Sequence, residues 1–261
     1  MIRITADDDL LTESGWSKAV CAASIPHSTV WFSLPCTGGS KFNQLNWCKG
    51  EETRRKIAGH IDKFFRLLER AYRIAEASAR AGGIICFELP GGCLYWDTPI
   101  LRHFLSVFNL TQVHLHCCRF GLRSSRGGPG FGLPMQKHFC VATNSDNVAA
   151  RLGKLCLGEH QHTRIGGKDT SMSENYTHDM VECIHRGILA DAIGKRVHDS
   201  LPVSVGPALS PACRRTGSDG PGPHQEGLQS CVVLLRRGSD LSAVGARVVC
   251  ARGARELVRG A

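Results

Sequence analysis

The final 66 residues contain no phenylalanine, tryptophan, tyrosine or lysine, and all 17 aromatic residues lie in 1–195. A segment without aromatics buries little apolar surface to offset its chain entropy. Residues 196–261, with nine arginines, nine glycines and five prolines, are therefore expected to form a disordered tail. Within it, Val232 to Leu235 and the pair Val248 and Val249 are apolar enough for a short strand or turn. The chain also lacks any run of about 18 consecutive apolar residues, which argues against a transmembrane helix. Its start carries three acids in a row, Asp7, Asp8 and Asp9, where a secretion leader has an apolar core. The expectation is an intracellular protein, nuclear if its partner is DNA. The cysteines lack a pattern: thirteen is an odd number and the spacing is irregular, so a secreted disulfide framework is a poor account of them. Reduced thiols are expected, mostly buried as small hydrophobes, with one or two left for chemistry or metal.

What is present is an excess of positive charge, formally +9, which suits a polyanionic partner such as nucleic acid. Residues 1–195 read as one α/β domain. Ser28 to Leu34 is a β-branched and aromatic run that ends in a tight loop, Pro35-Cys36-Thr37-Gly38-Gly39-Ser40. From Glu51 to Ala81, Ile57, Ile61, Phe64, Phe65, Leu68, Tyr72 and Ala75 recur at three- and four-residue spacing, predicting one long amphipathic helix that stops at Gly82-Gly83. Ile84 to Glu88 follows as a buried strand. Thr98 and Pro99 supply a cap and first-turn proline for a helix through Phe108. Gln112 to His116 and His138 to Ala142 are further strands, and Tyr176 to Ile193 is a last helix with Met180, Ile184, Ile188 and Ala192 on one side.

Strand, long helix, strand is a βαβ unit, whose two strands run parallel. Their carboxyl ends, carrying Cys36 and Glu88, then emerge on one edge of the sheet, where open α/β sheets bind ligands. A thiol and a carboxylate about fifty residues apart thus share a crevice.

Three segments in this order, Phe32-Ser33-Leu34-Pro35-Cys36, Phe87-Glu88-Leu89-Pro90, and Phe120-Gly121-Leu122 followed by Gln136-Lys137-His138-Phe139, resemble the cytosine carbon-5 DNA methyltransferases, including divergent segments of mobile-element reading frames. The resemblance covers roughly residues 7–194. It implies a Rossmann-like methyltransferase sheet with flanking helices and S-adenosylmethionine as methyl donor. It also implies Cys36 as the nucleophile toward cytosine carbon-6, with Glu88 holding ring nitrogen-3 of a base flipped out of the duplex. Arg119, Arg123, Arg126 and Lys137 are then the residues to hold phosphates. The chain departs from the family pattern in Leu34 before Pro35-Cys36, in Glu88-Leu89-Pro90 where Glu-Asn-Val is usual, and in Gln136-Lys137-His138 where a Gln/Arg strand is usual. The 34 residues ahead of Pro35 contain no Phe-x-Gly-x-Gly loop for the donor, so the expected sheet is truncated at its N-terminus and inactive in methyl transfer by itself. The Gly-rich stretch from Arg123 to Pro134 lacks the lysine-serine pair of a phosphate loop and reads as a mobile surface loop.

A different class of function rests on Cys156, His160 and His162. These supply zinc ligands, with Cys140, Cys117 or Cys118 as the fourth, and imply a noncatalytic, zinc-stabilised nucleic-acid-binding module. A cysteine hydrolase would need His60, His114 or His116 to activate Cys36, and nothing in their setting pairs them with it.

Overall fold

The structure, a computed structural model, describes residues 8–199 and Cys231–Leu235. In chain order the helices are α1 (Glu13–Ala23), α2 (Phe42–Asn46), α3 (Glu51–Arg80), α4 (Pro99–Val107), α5 (Asp146–Leu152), α6 (Lys168–Met172) and α7 (His178–Asp199). The strands are β1 (Thr29–Ser33), β2 (Ile84–Pro90), β3 (Thr111–His116), β4 (His138–Thr143) and β5 (Cys231–Leu235). They form one mixed sheet in the order β3-β4-β2-β1-β5. β1 and β2 are parallel, with Ser33 opposite Glu88; β4 runs antiparallel to both β2 and β3, and β5 lies antiparallel along β1.

The expected strands, the long helix and the helix after Pro99 agree with the structure to within a residue or two, whereas the last helix, expected over Tyr176 to Ile193, runs on to Asp199. Within the expected disordered tail, Cys231–Leu235 is a strand, at the place where Val232 to Leu235 allowed one, and its backbone pairs with the edge of β1. The first four residues of the expected disordered tail, 196–199, are corrected to the last turn of α7, and the rest of it, including Val248 and Val249, lies outside the described residues, as do residues 1–7. Among the described residues no helix is long and apolar enough to cross a membrane.

Residues alternate between the two faces of the sheet, and each face has its own core. Val30, Phe32, Ile85, Phe87 and Leu89 point to the side covered by α1, α3 and α4, where Phe64, Leu67, Leu68, Ile74, Phe104 and Leu105 meet them. Trp31, Ile84, Cys86, Phe139 and Val141 point to the other side, against α5, α7 and the turn at Cys117–Phe120. The helix α3, 30 residues and about 45 Å long, is the main cover of the first face. Its buried stripe is Ile57, Phe64, Leu67, Leu68, Ala71, Ile74, Ala75 and Ser78, whereas Ile61, Phe65 and Tyr72, expected at its centre, lie on its flank. The stripe therefore sits slightly rotated from the one the bulky side chains outline. Ala71 and Ala75 are fully buried in this stripe, and in a close-packed core a larger side chain at either position has to displace its neighbours.

Helix ends follow local chemistry. Thr98 Oγ1 accepts from Leu101 N and Pro99 opens α4; Ser145 Oγ accepts from Val148 N at the start of α5. At the end of α3, Gly82 takes φ +64°, and Gly83 N donates to Ser78 O at 2.8 Å, turning the chain straight into β2. The Arg123–Pro134 stretch, expected to be a mobile surface loop, is corrected at its ends. Ser124 N donates to Leu133 O, and the buried Ser124 hydroxyl donates to Asp169 at 2.6 Å, so only the tip of the loop stands in solvent.

Candidate functional site

The parallel pair brings Cys36 and Glu88 to one edge, as the βαβ reading requires: Glu88 lies opposite Ser33, three residues before Cys36. Their surroundings differ. Glu88 is turned to the α7 face and buried, whereas Cys36 is half-buried and packs against the core under α3. The expectation that Cys36 and Glu88 face a common crevice is therefore corrected: they share an edge of the sheet but lie toward its opposite faces. The reason is the pleat, which sends Glu88 to the opposite face from Phe87 and Leu89, while the loop after β1 folds back toward α3. Cys93 bridges the two, close enough to feel the charge of both.

Glu88 is the centre of a polar network on an otherwise apolar face. The Tyr176 hydroxyl donates to Glu88 Oε2 at 2.8 Å, Trp31 Nε1 donates to the Tyr176 oxygen at 2.9 Å, and Ser33 Oγ lies 2.7 Å from that same oxygen. Burial pushes the Glu88 carboxyl above its ordinary range, and Tyr176, Ser33 and the Lys137 ammonium pull it part of the way back. On the other side, the loop after β1 is fixed by Asn43 Nδ2, which donates to Thr37 O and Gly38 O at 2.8 and 3.0 Å. Tyr95 stacks on Phe64 with ring centres 3.7 Å apart, and its buried hydroxyl, packed against Gly38, has no hydrogen-bond partner. Burial pushes the Cys93 thiol up to about 12, so it is a packing thiol; the same holds for Cys86, Cys117 and Cys140. Ten of the described cysteines are free thiols, four of them buried.

S-adenosylmethionine does not fit the residues present. Gly38, Gly39 and Gly91 at this edge leave no cradle for a nucleoside, because the space beside each is already filled. A side-chain carbon on Gly38 would strike the Tyr95 hydroxyl, one on Gly39 the Cys93 sulfur at 2.5 Å, and one on Gly91 the ring of His138.

The four basic residues expected to hold phosphates have different roles. Arg119 pairs with Glu159 at 2.9 Å, and Arg123 donates to Gly132 O at 3.0 Å; both are exposed, as is Arg126 at the loop tip. Lys137 is turned inward. Its Nζ donates to Ser173 O at 2.6 Å and lies 4.8 Å from the centre of the Phe139 ring. Phe42, Leu45 and Trp47, which the sequence did not single out, stand exposed just beyond the Cys36 loop, between Lys41 and Lys49. Their signal was an apolar triplet in a segment too short to make an amphipathic helix.

A second constellation lies at the far end of β3. Cys118, Cys156, His160 and His162 bring one ligand atom each to within 4.8 Å of one another. Of the three fourth partners the sequence left open, Cys118 is the one the fold delivers; Cys117 points into the core and Cys140 lies in β4. Cys156 Sγ is 3.6 Å from both His160 Nε2 and His162 Nε2, and Cys118 Sγ is 3.4 Å from His162 Nε2. Gly158 N points at Cys156 Sγ at 3.4 Å. Of the three histidines once considered as activators of Cys36, His114 and His116 are engaged elsewhere: His114 Nδ1 meets His138 Nε2 at 3.0 Å, and His116 Nδ1 accepts from Cys156 N at 3.0 Å. His60 lies on α3. No family model, curated protein or solved structure matches the chain.

Proposed function

We propose that this chain is a divergent cytosine-methyltransferase-like protein that binds nucleic acid at the sheet edge carrying Cys36 and Glu88, and that it transfers no methyl group by itself. The observation that carries the reading is the parallel register that sets Glu88 opposite Ser33, with the Cys36 loop immediately beyond. A flat base at the ends of β1 and β2 lies beside the Cys36 loop, and it reaches the buried Glu88 once the Tyr176 hydroxyl gives up its 2.8 Å bond to Oε2. The raised carboxyl of Glu88 suits cytosine: in its neutral form it donates a proton to ring nitrogen-3 and accepts from the exocyclic amine. The unpartnered Tyr95 hydroxyl adds hydrogen-bonding capacity to the loop side. Exposed Arg123 and Arg126 supply phosphate contacts, and Phe42 and Trp47 supply stacking surfaces beside Lys41 and Lys49. Because the residues present do not fit the methyl donor, the proposal stops at base capture.

Alkylation of Cys36 tests this. Mass-resolved labelling with iodoacetamide, with and without single-stranded oligo-dC, is expected to show Cys36 protected by oligo-dC, less so by oligo-dT, and unprotected in Glu88→Gln. Equal labelling in all arms would refute base capture at this edge. Labelled methyl incorporated from S-adenosylmethionine, and lost in Cys36→Ser, would refute the inactivity.

A second reading is favoured by the Cys118, Cys156, His160 and His162 cluster: a noncatalytic nucleic-acid-binding module stabilised by zinc. A tetrahedral zinc with ordinary bond lengths puts sulfur and imidazole nitrogen about 3.6 Å apart. That spacing matches the three sulfur-to-nitrogen separations of 3.6, 3.6 and 3.4 Å.

A further inference from the structure

We infer that a zinc ion at Cys118, Cys156, His160 and His162 closes a clamp around the segment Pro134–Lys137 and so fixes Lys137 against Ser173 and Phe139; this rests on the zinc reading above. The segment is held between two flanks by its backbone. On one flank, Met135 N donates to Leu122 O at 3.0 Å and Cys117 N donates to Lys137 O at 2.8 Å. On the other, Thr163 N donates to Pro134 O at 3.0 Å, and Met135 and Thr163 form a parallel bridge.

The four ligands are distributed so that an ion joins the two flanks. Cys118 belongs to the first, one residue from Cys117, and His162 to the second, one residue from Thr163. Without the ion the flanks are connected near the ligands by His116 N to Lys154 O, Cys156 N to His116 Nδ1 and the exposed Arg119–Glu159 pair. An exposed ion pair of that kind contributes little. Four metal bonds, two of them to thiolates, are a far stronger link, and metal-binding free energy becomes folding free energy where the ligands come from separate segments.

The clamp acts on the candidate site because Lys137 ends the held segment. Its ammonium favours the ionised form of Glu88 and reaches Ser173 O ahead of α7. Zinc thus sets one of the charges that Glu88 feels without approaching it.

The test uses the full chain purified with zinc. Metal analysis is expected to give one zinc per chain, lost in Cys118→Ser and in His162→Ala but kept in Cys36→Ser, and cobalt in its place should give the visible bands of a tetrahedral thiolate site. Hydrogen exchange of the unmutated chain is then compared with and without a chelator. Exchange is expected to accelerate roughly tenfold or more together in 117–123, 133–137 and 156–163, with α3 and β1 unchanged. Acceleration confined to 156–163 would overturn the clamp and leave the zinc site standing. A chain that holds no metal overturns both.

Discussion

Tyr176 and Glu88, 88 residues apart in the chain, are joined by a 2.8 Å hydrogen bond in which the phenol donates to a buried carboxyl. The bond links the segment before α7 to the end of β2, and through Trp31 and Ser33 it reaches β1 as well. It makes the carboxyl at the edge of the sheet a tertiary construction.

Removing the donor should expose that dependence. Tyr176→Phe takes the phenol donor from the buried Glu88 Oε2, while Trp31 Nε1 still donates to Ser33 Oγ at 3.1 Å, and a buried group that loses its partner costs about 1–3 kcal/mol. Chemical denaturation is expected to show a loss of that size. The carboxyl pKa, followed by carbon-13 NMR of labelled Glu, should move further up. An unchanged midpoint would show that solvent already satisfies the network.

The pH dependence has a defined sign. The folded Glu88 carboxyl titrates above its ordinary value of 4.5, so the folded state holds this proton more tightly than the unfolded chain. Its contribution to stability is fully present below that ordinary value and is lost as pH rises through the folded one. Glu88→Gln should therefore flatten the decline of the melting temperature in this window and melt at or above the parent at neutral pH. Parallel curves would show that Glu88 is not desolvated.

Two glycines, Gly83 after the end of α3 and Gly59 within it, should respond oppositely to alanine. In Gly83→Ala the new carbon meets Ser28 O at 2.6 Å and Ser78 O at 2.9 Å, backbone atoms that cannot move without shifting β1 or α3. A destabilisation of about 1–3 kcal/mol or more is expected. At Gly59, exposed within α3, nothing lies within 4 Å of the added carbon, and alanine should stabilise by roughly 0.5–1 kcal/mol. Thermal unfolding of the two variants reads both signs.

Nucleic-acid binding should separate stacking from charge. Trp47→Ala is expected to weaken single-strand binding by about 1–3 kcal/mol with the salt slope unchanged, since a stacking surface releases no counterions. Arg123→Ala should reduce the slope of log K against log salt by about one. Lys137→Ala should leave that slope alone, because its ammonium is held by Ser173 O. Titrations at three salt concentrations check all three.

The sheet strands and α3 were legible because each is a local pattern: alternating or continuous apolar runs, an acid-rich start, and a Gly82-Gly83 stop. The parallel pairing of β1 and β2 followed from the long helix between them, so the shared edge of Cys36 and Glu88 was legible too. The short α1 and α5 were not singled out, because their runs of small residues, such as Ala19, Ala22 and Ala23, bury well but outline no bulky stripe. Lys137 reads as one more cation in a basic chain, and only its packing against Phe139 and Ser173 turns it inward.

The sequence by itself determined the strands, the long helix, the edge at which Cys36 and Glu88 emerge, and three of the four clustered ligands, because each is set by contacts within a few residues or by one crossover. The tertiary structure decided which cysteine joins His160 and His162, which face Glu88 takes, and that Tyr176 holds it. Those choices depend on how segments tens of residues apart pack, and spacing along the chain does not record the distance across a core.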